Sequence, residues 1–131
     1  MAREWHGGDA CKKIADTSLT WANSSAANTE RFVDLGSPES LERQPNSGLL
    51  VIVRNPSSVT ELAGELRYEF DDAGTTRYAT LTTFAASRAN SDGQVFLVDA
   101  GLLLRGRVVL KNSTALGGSD TFPARVVVYA F

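Results

Sequence analysis

The order of apolar and polar residues along this chain is that of short β-runs separated by turns. In the clearest segment, Leu66-Arg67-Tyr68-Glu69-Phe70, apolar and charged residues alternate strictly. A period of two puts Leu66, Tyr68 and Phe70 on one face of a strand and Glu65, Arg67 and Glu69 on the other, so that one face packs and one reads as solvated. The turn cluster Asp71-Asp72-Ala73-Gly74 follows, where Gly74 can supply a positive φ, and residues 77–84 return as the partner strand. Residues 49–53 and 126–131 are continuous apolar runs rich in β-branched side chains, a pattern that predicts strands buried on both faces. Further strands are expected at residues 19–21, 31–35, 94–98 and 104–111. Turn chemistry falls at 35–38, 46–48, 90–93 and 117–120.

About eight short strands at fairly regular spacing predict an all-β antiparallel sandwich or barrel. Helix has little room. Ser37-Pro38-Glu39 offers an N-cap and a first-turn proline, enough for one turn through Arg43. Ser58 and Glu61 have capping-box spacing, but Gly64 and the strand after it leave space for no more than a turn. Residues 1–16 read as an N-terminal arm, with a short helix near residues 11–15, and residues 17–131 as the β domain.

The chain has 131 residues, one domain's worth, and at that size a core needs no disulfide or metal staple. Cys11 is the only cysteine, so an internal disulfide is excluded. The net charge of −2, with arginines scattered among acids, argues against nucleic acid as a partner. No apolar stretch reaches membrane-spanning length, and Met1-Ala2-Arg3-Glu4-Trp5-His6 is not a secretory signal, so no membrane partner and synthesis in a cytoplasm are expected. Sequons at Asn23-Ser24-Ser25 and Asn112-Ser113-Thr114 are then best explained by chance.

Reactive chemistry is thin. His6, the only histidine, lies in the arm, where packing cannot hold it between a nucleophile and a carboxylate, and pairing with Cys11 meets the same objection. Asp71-Asp72, with Asp99 or Asp120, has the oxygens for a hard cation, but aspartate is favoured in turns for its own sake. Gly7-Gly8 and Gly117-Gly118 lack the Lys-Ser/Thr of a phosphate loop. No catalytic residue, metal or cofactor is expected, and the chain reads as non-enzymatic.

Surface-forming residues are better candidates. Trp5 and Trp21 could stack on sugar together with the tyrosines, although Tyr68 and Tyr78 are more simply core or cross-strand residues of the hairpin. Trp5, an indole in a polar arm, has reason to dock on its own domain or on a neighbour. Arginine greatly outnumbers lysine and suits partly desolvated interfaces. Arg54, Arg105, Arg107 and Arg125 lie beside or within apolar runs and are interface candidates. Their competing role is that of outward strand charges that blunt edge pairing.

Leu19-Thr20-Trp21, the small-residue stretch Asn23-Ser24-Ser25-Ala26-Ala27-Asn28-Thr29 and the strand Arg31-Phe32-Val33-Asp34-Leu35-Gly36 carry a resemblance. Together with residues 49–53, the charged hairpin, a Leu/Arg-rich strand and a β-branched last strand, they resemble the jelly-roll cement (decoration) proteins of tailed-bacteriophage capsids. The likeness runs from about residue 17 to the end. It implies a jelly roll, a homodimer or homotrimer, bound to the outside of the virion capsid across joints between major capsid protein subunits, and no catalytic residues. The alternative is a carbohydrate- or receptor-binding β-sandwich, free or tail-associated, which would carry an exposed aromatic row or a calcium site.

Overall fold

The computed structural model describes residues 12–35, 47–101 and 105–130. Their eight strands are β1 (Lys12–Trp21), β2 (Glu30–Asp34), β3 (Ser47–Asn55), β4 (Leu62–Asp72), β5 (Thr75–Ala86), β6 (Asn90–Gly101), β7 (Gly106–Asn112) and β8 (Phe122–Ala130). The antiparallel pairs β1·β8, β2·β7, β3·β6 and β4·β5 are those of one long ribbon folded at its middle. Two further pairings, β3·β8 and β4·β7, roll that ribbon into sheets of order β1-β8-β3-β6 and β2-β7-β4-β5. This is the jelly roll.

The core lies between the two inner faces. Leu19 and Trp21 of β1, Leu49, Val51 and Val53 of β3, and Phe122, Ala124, Val126 and Val128 of β8 meet Val33 of β2, Leu62 and Leu66 of β4, and Val108 and Leu110 of β7. Each set follows the period-two pattern of its strand. Trp21 is fully buried, stacks on Phe122 with ring centroids 5.2 Å apart, and donates its indole N–H to the Thr29 carbonyl at 3.0 Å. Gly64 is paired across the ladder with Phe84, whose ring occupies the space a Cβ would need.

The hairpin expected at 66–84 is β4–β5, closed by Ala73 and Gly74 with φ of 52° and 88°. Two left-handed residues in a two-residue loop suit the twist of the flanking strands. Several expectations shift. β1 begins at Lys12, so residues 12–15 are strand rather than helix and the β domain starts at least five residues before the expected boundary at 17. The turn anticipated at 90–93 lies inside β6. There Gly93 (φ 96°) donates its N–H to Asn90 Oδ1, and the chain reverses at 87–89 instead. Ser58 and Glu61 start no helix, and Ser57 Oγ accepts from the N–H groups of Val59 and Thr60 in a local turn. β7 begins at Gly106, and Leu104, like the turn from Ser37 to Arg43, lies outside the described residues.

One end of the sandwich is tied by two buried asparagines. Asn112 accepts the Thr29 N–H on Oδ1 (2.9 Å) and donates from Nδ2 to the carbonyls of Ala26 (2.9 Å) and Thr114 (3.0 Å). Asn55 donates to the Thr60 and Ala86 carbonyls and accepts the Ser57 N–H. Both side chains are fully buried. The sequon at Asn112 is therefore a structural asparagine, closed to a glycosyl group in the folded state.

Candidate interaction surface

The two outer faces of the sandwich differ in kind. On the second sheet, Glu30, Phe32 and Asp34 of β2, Arg107, Val109 and Lys111 of β7, Glu65, Arg67 and Glu69 of β4, and Tyr78 and Thr80 of β5 point outward. Arg67 reaches Glu30 (2.8 Å) and Glu65 (3.1 Å), and Lys111 reaches Glu65 (2.7 Å). The face expected to be solvated is largely covered: the side chains of Glu65 and Arg67 are 16% and 19% exposed. Interlocking opposite charges shield one another from water, and outward-facing Val109 is buried among them. Arg67, then Lys111 and Thr80, hold the Glu65 carboxyl at about 2, against an ordinary 4.5. Arg67 also lowers Glu30.

A carboxyl whose folded value lies below its unfolded one stabilises fully above the unfolded value and loses that contribution as pH falls toward the folded one. Replacing Glu65 with Gln should therefore lower the urea midpoint at pH 7. The gap from the wild type should narrow between pH 4.5 and about 2, which paired urea titrations across that range would check.

On the same face Arg107 lies between two rings, its guanidinium carbon 3.8 Å from the centre of Phe32 and 4.0 Å from that of Tyr78, with Asp34 at 3.2 Å. One face of each ring is thus occupied by a cation. Arg105 pairs with Glu69 at 3.1 Å. The carboxylates and most cations of the second sheet's outer face are thus paired with one another, although Arg107 Nε has no hydrogen-bond partner among the described residues and Phe32 stays 46% exposed. The face is largely matched in charge.

The first sheet's outer face is not. Register aligns Lys13, Tyr129, Leu50 and Leu97 in one row across β1, β8, β3 and β6, and Asp16, Val127, Ile52 and Val95 in the next. Six apolar side chains on three adjacent strands thus share one outward block. The runs at 49–53 and 126–131 are expected to be buried on both faces; among the described residues only the inner face is fully covered. Leu50, Ile52, Val127 and Tyr129 are half-buried, while Val95 and Leu97 are 59% and 71% exposed. An exposed contiguous apolar block, rimmed by charge, is the signature of a contact surface rather than of a stray side chain.

Arginines form one rim. Arg54 of β3 lies directly opposite Arg125 of β8, and Arg125 makes a two-pronged contact with Asp16 at 3.0 and 2.9 Å. Arg125, with Lys13 helping, holds the Asp16 carboxyl at about 2. Arg54 is exposed and has no carboxylate partner among the described residues. A shallow cleft of about 180 Å³ runs between Ile52, Val127 and Tyr129 and the polar groups of Arg54, Asp16 and Arg125.

The candidates named from sequence separate accordingly. Arg54 and Arg125 border the apolar block, whereas Arg105 and Arg107 are on the opposite face, engaged with Glu69 and with Phe32, Tyr78 and Asp34. Trp21 is corrected from surface to core, where its indole has no exposed area to offer. Trp5, His6 and Cys11 lie outside the described residues. Tyr68 packs against the core and Tyr78 faces outward. Three of the four candidate aspartates serve local structure: Asp71 accepts the Gly74 N–H, Asp120 the Gly117 N–H, and Asp72 pairs with Arg77, while the side chain of Asp99 lies outside the described residues. Among the described residues no three acidic, histidine or cysteine groups gather as a metal site would require. The apolar block itself was missed as a surface, although its signal, unbroken apolar runs that one packed face cannot account for, was in the sequence.

No family model and no curated protein matches this chain. Solved structures do. A chain of the Triatoma virus empty capsid aligns with a TM-score of 0.52 at 12% identity, over 93% of this chain and 86% of that one. A chain of Triatoma virus itself aligns with a TM-score of 0.51 at 14% identity, over 99% and 67%. A carbohydrate-binding module of the β-sandwich superfamily aligns at 0.49 and 9% identity, over 88% of this chain and 53% of the module. With its strand order, the two capsid-chain alignments make the chain a jelly-roll β-sandwich whose fold is shared with viral capsid chains.

Proposed function

We propose that this protein is a non-enzymatic structural component of a virion: a cement protein on the outside of a tailed-bacteriophage head, where it bridges major capsid protein subunits. The observation that carries the reading is the unmatched outer face of the first sheet, six apolar side chains in register with Arg54 and Arg125 along one rim. A cement protein supplies surface rather than reactivity. A specific contact buries on the order of 1,600 Å², and a stiff two-sheet block can repeat such a contact at every joint of a shell. The jelly-roll likeness to the Triatoma virus capsid chains supports a shell role, and the sequence pattern from about residue 17 onward, which resembles that of phage decoration proteins, supports the cement role. The cation-filled Phe32–Arg107–Tyr78 stack weighs against a sugar platform on the other face.

The test is first whether a major capsid protein is encoded beside the gene for this chain, and then co-sedimentation of the purified chain with expanded shells assembled from that protein. Saturable binding and a raised shell melting temperature are expected. Absence of binding, with selective capture on a glycan array, would overturn the reading in favour of a carbohydrate-binding module.

A further inference from the structure

We infer that β6 is a homodimerisation edge, across which a second copy of this chain adds its own β6 antiparallel to make one continuous eight-stranded sheet. Each sheet has two edges, and three of the four carry devices that discourage pairing. β1 has a bulge between Lys13 and Ala15 and outward Lys13 and Asp16. β2 is five residues long and holds Glu30, Arg31 and Asp34. β5 is bulged opposite Leu66 and Arg67, and Arg77 lies within it. Such features are how natural sheets keep their unpaired backbone groups from recruiting another strand.

β6 lacks them over its central stretch. From Gln94 to Asp99 its ladder with β3 is regular, and Gln94-Val95-Phe96-Leu97-Val98 is without charge or proline. Among the described residues β6 is paired on one side only. Its outward side chains, Val95 and Leu97, are the most exposed large aliphatic groups among the described residues.

Self-pairing suits this strand better than pairing with a charged partner. An antiparallel joint centred on Phe96 sets Val95 against the second copy's Leu97 on the outer face, twice by symmetry. The regular stretch that pairs, Gln94 to Val98, carries no charge, so no like charges are opposed within the joint. The four exposed aliphatics then join Leu50 and Ile52 of both copies, and the apolar block doubles in width. The inference deepens the shell-docking reading and rests on it for its purpose: two linked faces bind a repeating lattice with the second contact effectively intramolecular. The strand joint alone is smaller than a standard interface, so a dissociation constant in the micromolar range is expected.

Sedimentation velocity of the full chain from about 1 to about 100 µM brackets that range. The wild type should pass from monomer to dimer. Leu97→Lys and Val95→Lys should stay monomeric at the top concentration, with circular dichroism and melting temperature unchanged at the lowest concentration, where the wild type is also monomeric, because both side chains are exposed. A wild type that is monomeric throughout, a trimer, or lysine variants that dimerise like the wild type would overturn the inference. A monomer that still co-sediments with shells removes the edge joint alone, whereas a dimer that ignores shells removes the docking reading alone.

Discussion

Trp21→Ala should cost about 3–5 kcal/mol, the range for deleting a large buried aromatic, and should lower the melting temperature by roughly 10–20 °C at this chain length. The side chain is fully buried between the sheets and stacked on Phe122. Its removal leaves a cavity at the end of β1 and β8 and takes the indole donor from the Thr29 carbonyl. Domains of this size are held by only about 5–15 kcal/mol, so the loss is a large share of the total. Trp21→Phe keeps much of the stack and loses the hydrogen bond, and should cost less than half as much. Urea unfolding of the three proteins checks the order. Equal stability of wild type and Trp21→Ala would mean that the sheets do not close over this residue.

The second large effect is expected at Asn112. Its side chain makes three hydrogen bonds to backbone groups of residues 26, 29 and 114, joining the loop after β1 to the loop after β7. Asn112→Ala leaves a donor and two carbonyls without that partner in a part-buried site, at about 1–3 kcal/mol for each group that stays dry. Water reaching the loosened loops limits the total to about 2–4 kcal/mol. Asn112→Asp is the sharper variant. It keeps the acceptor for Thr29 but turns a carboxylate toward the Ala26 and Thr114 carbonyls, and should be at least as damaging at pH 7. Hydrogen exchange at the Thr29 amide should speed up in Asn112→Ala and much less in Asn112→Asp, a contrast that a purely steric role would not produce.

What could be read before the fold was known, and what could not, follows from the range of each interaction. The β4–β5 hairpin was legible because alternation and the Ala73-Gly74 turn are local. The eight-strand pattern was legible for the same reason. The start of β1 at Lys12 was not, since residues 12–16 lack a clean alternation and are held as strand by pairing with β8, more than a hundred positions away. Trp21 was visible as an aromatic of consequence, but the sequence could not say whether its indole faced Phe122 or solvent. The four arginines were marked by their apolar neighbours. Their division between two faces depended on strand parity and on partners such as Asp16 and Phe32, which are distant in the chain. The charged face of β4 reads as solvated in the sequence because Glu30 and Lys111, which cover it, come from other strands.

The outer face of the first sheet makes the most direct test. Ile52→Glu sets a carboxylate in the middle of the apolar block, and Phe32→Glu places the same change on the opposite face; both variants should remain folded. On the proposed cement role, binding of each to expanded major capsid protein shells, measured by co-sedimentation at matched concentrations, is expected to fall at least tenfold for Ile52→Glu (about 1.4 kcal/mol or more) and to stay near wild type for Phe32→Glu. Undiminished binding by Ile52→Glu, or a loss confined to Phe32→Glu, would contradict the assignment of the shell contact to this face.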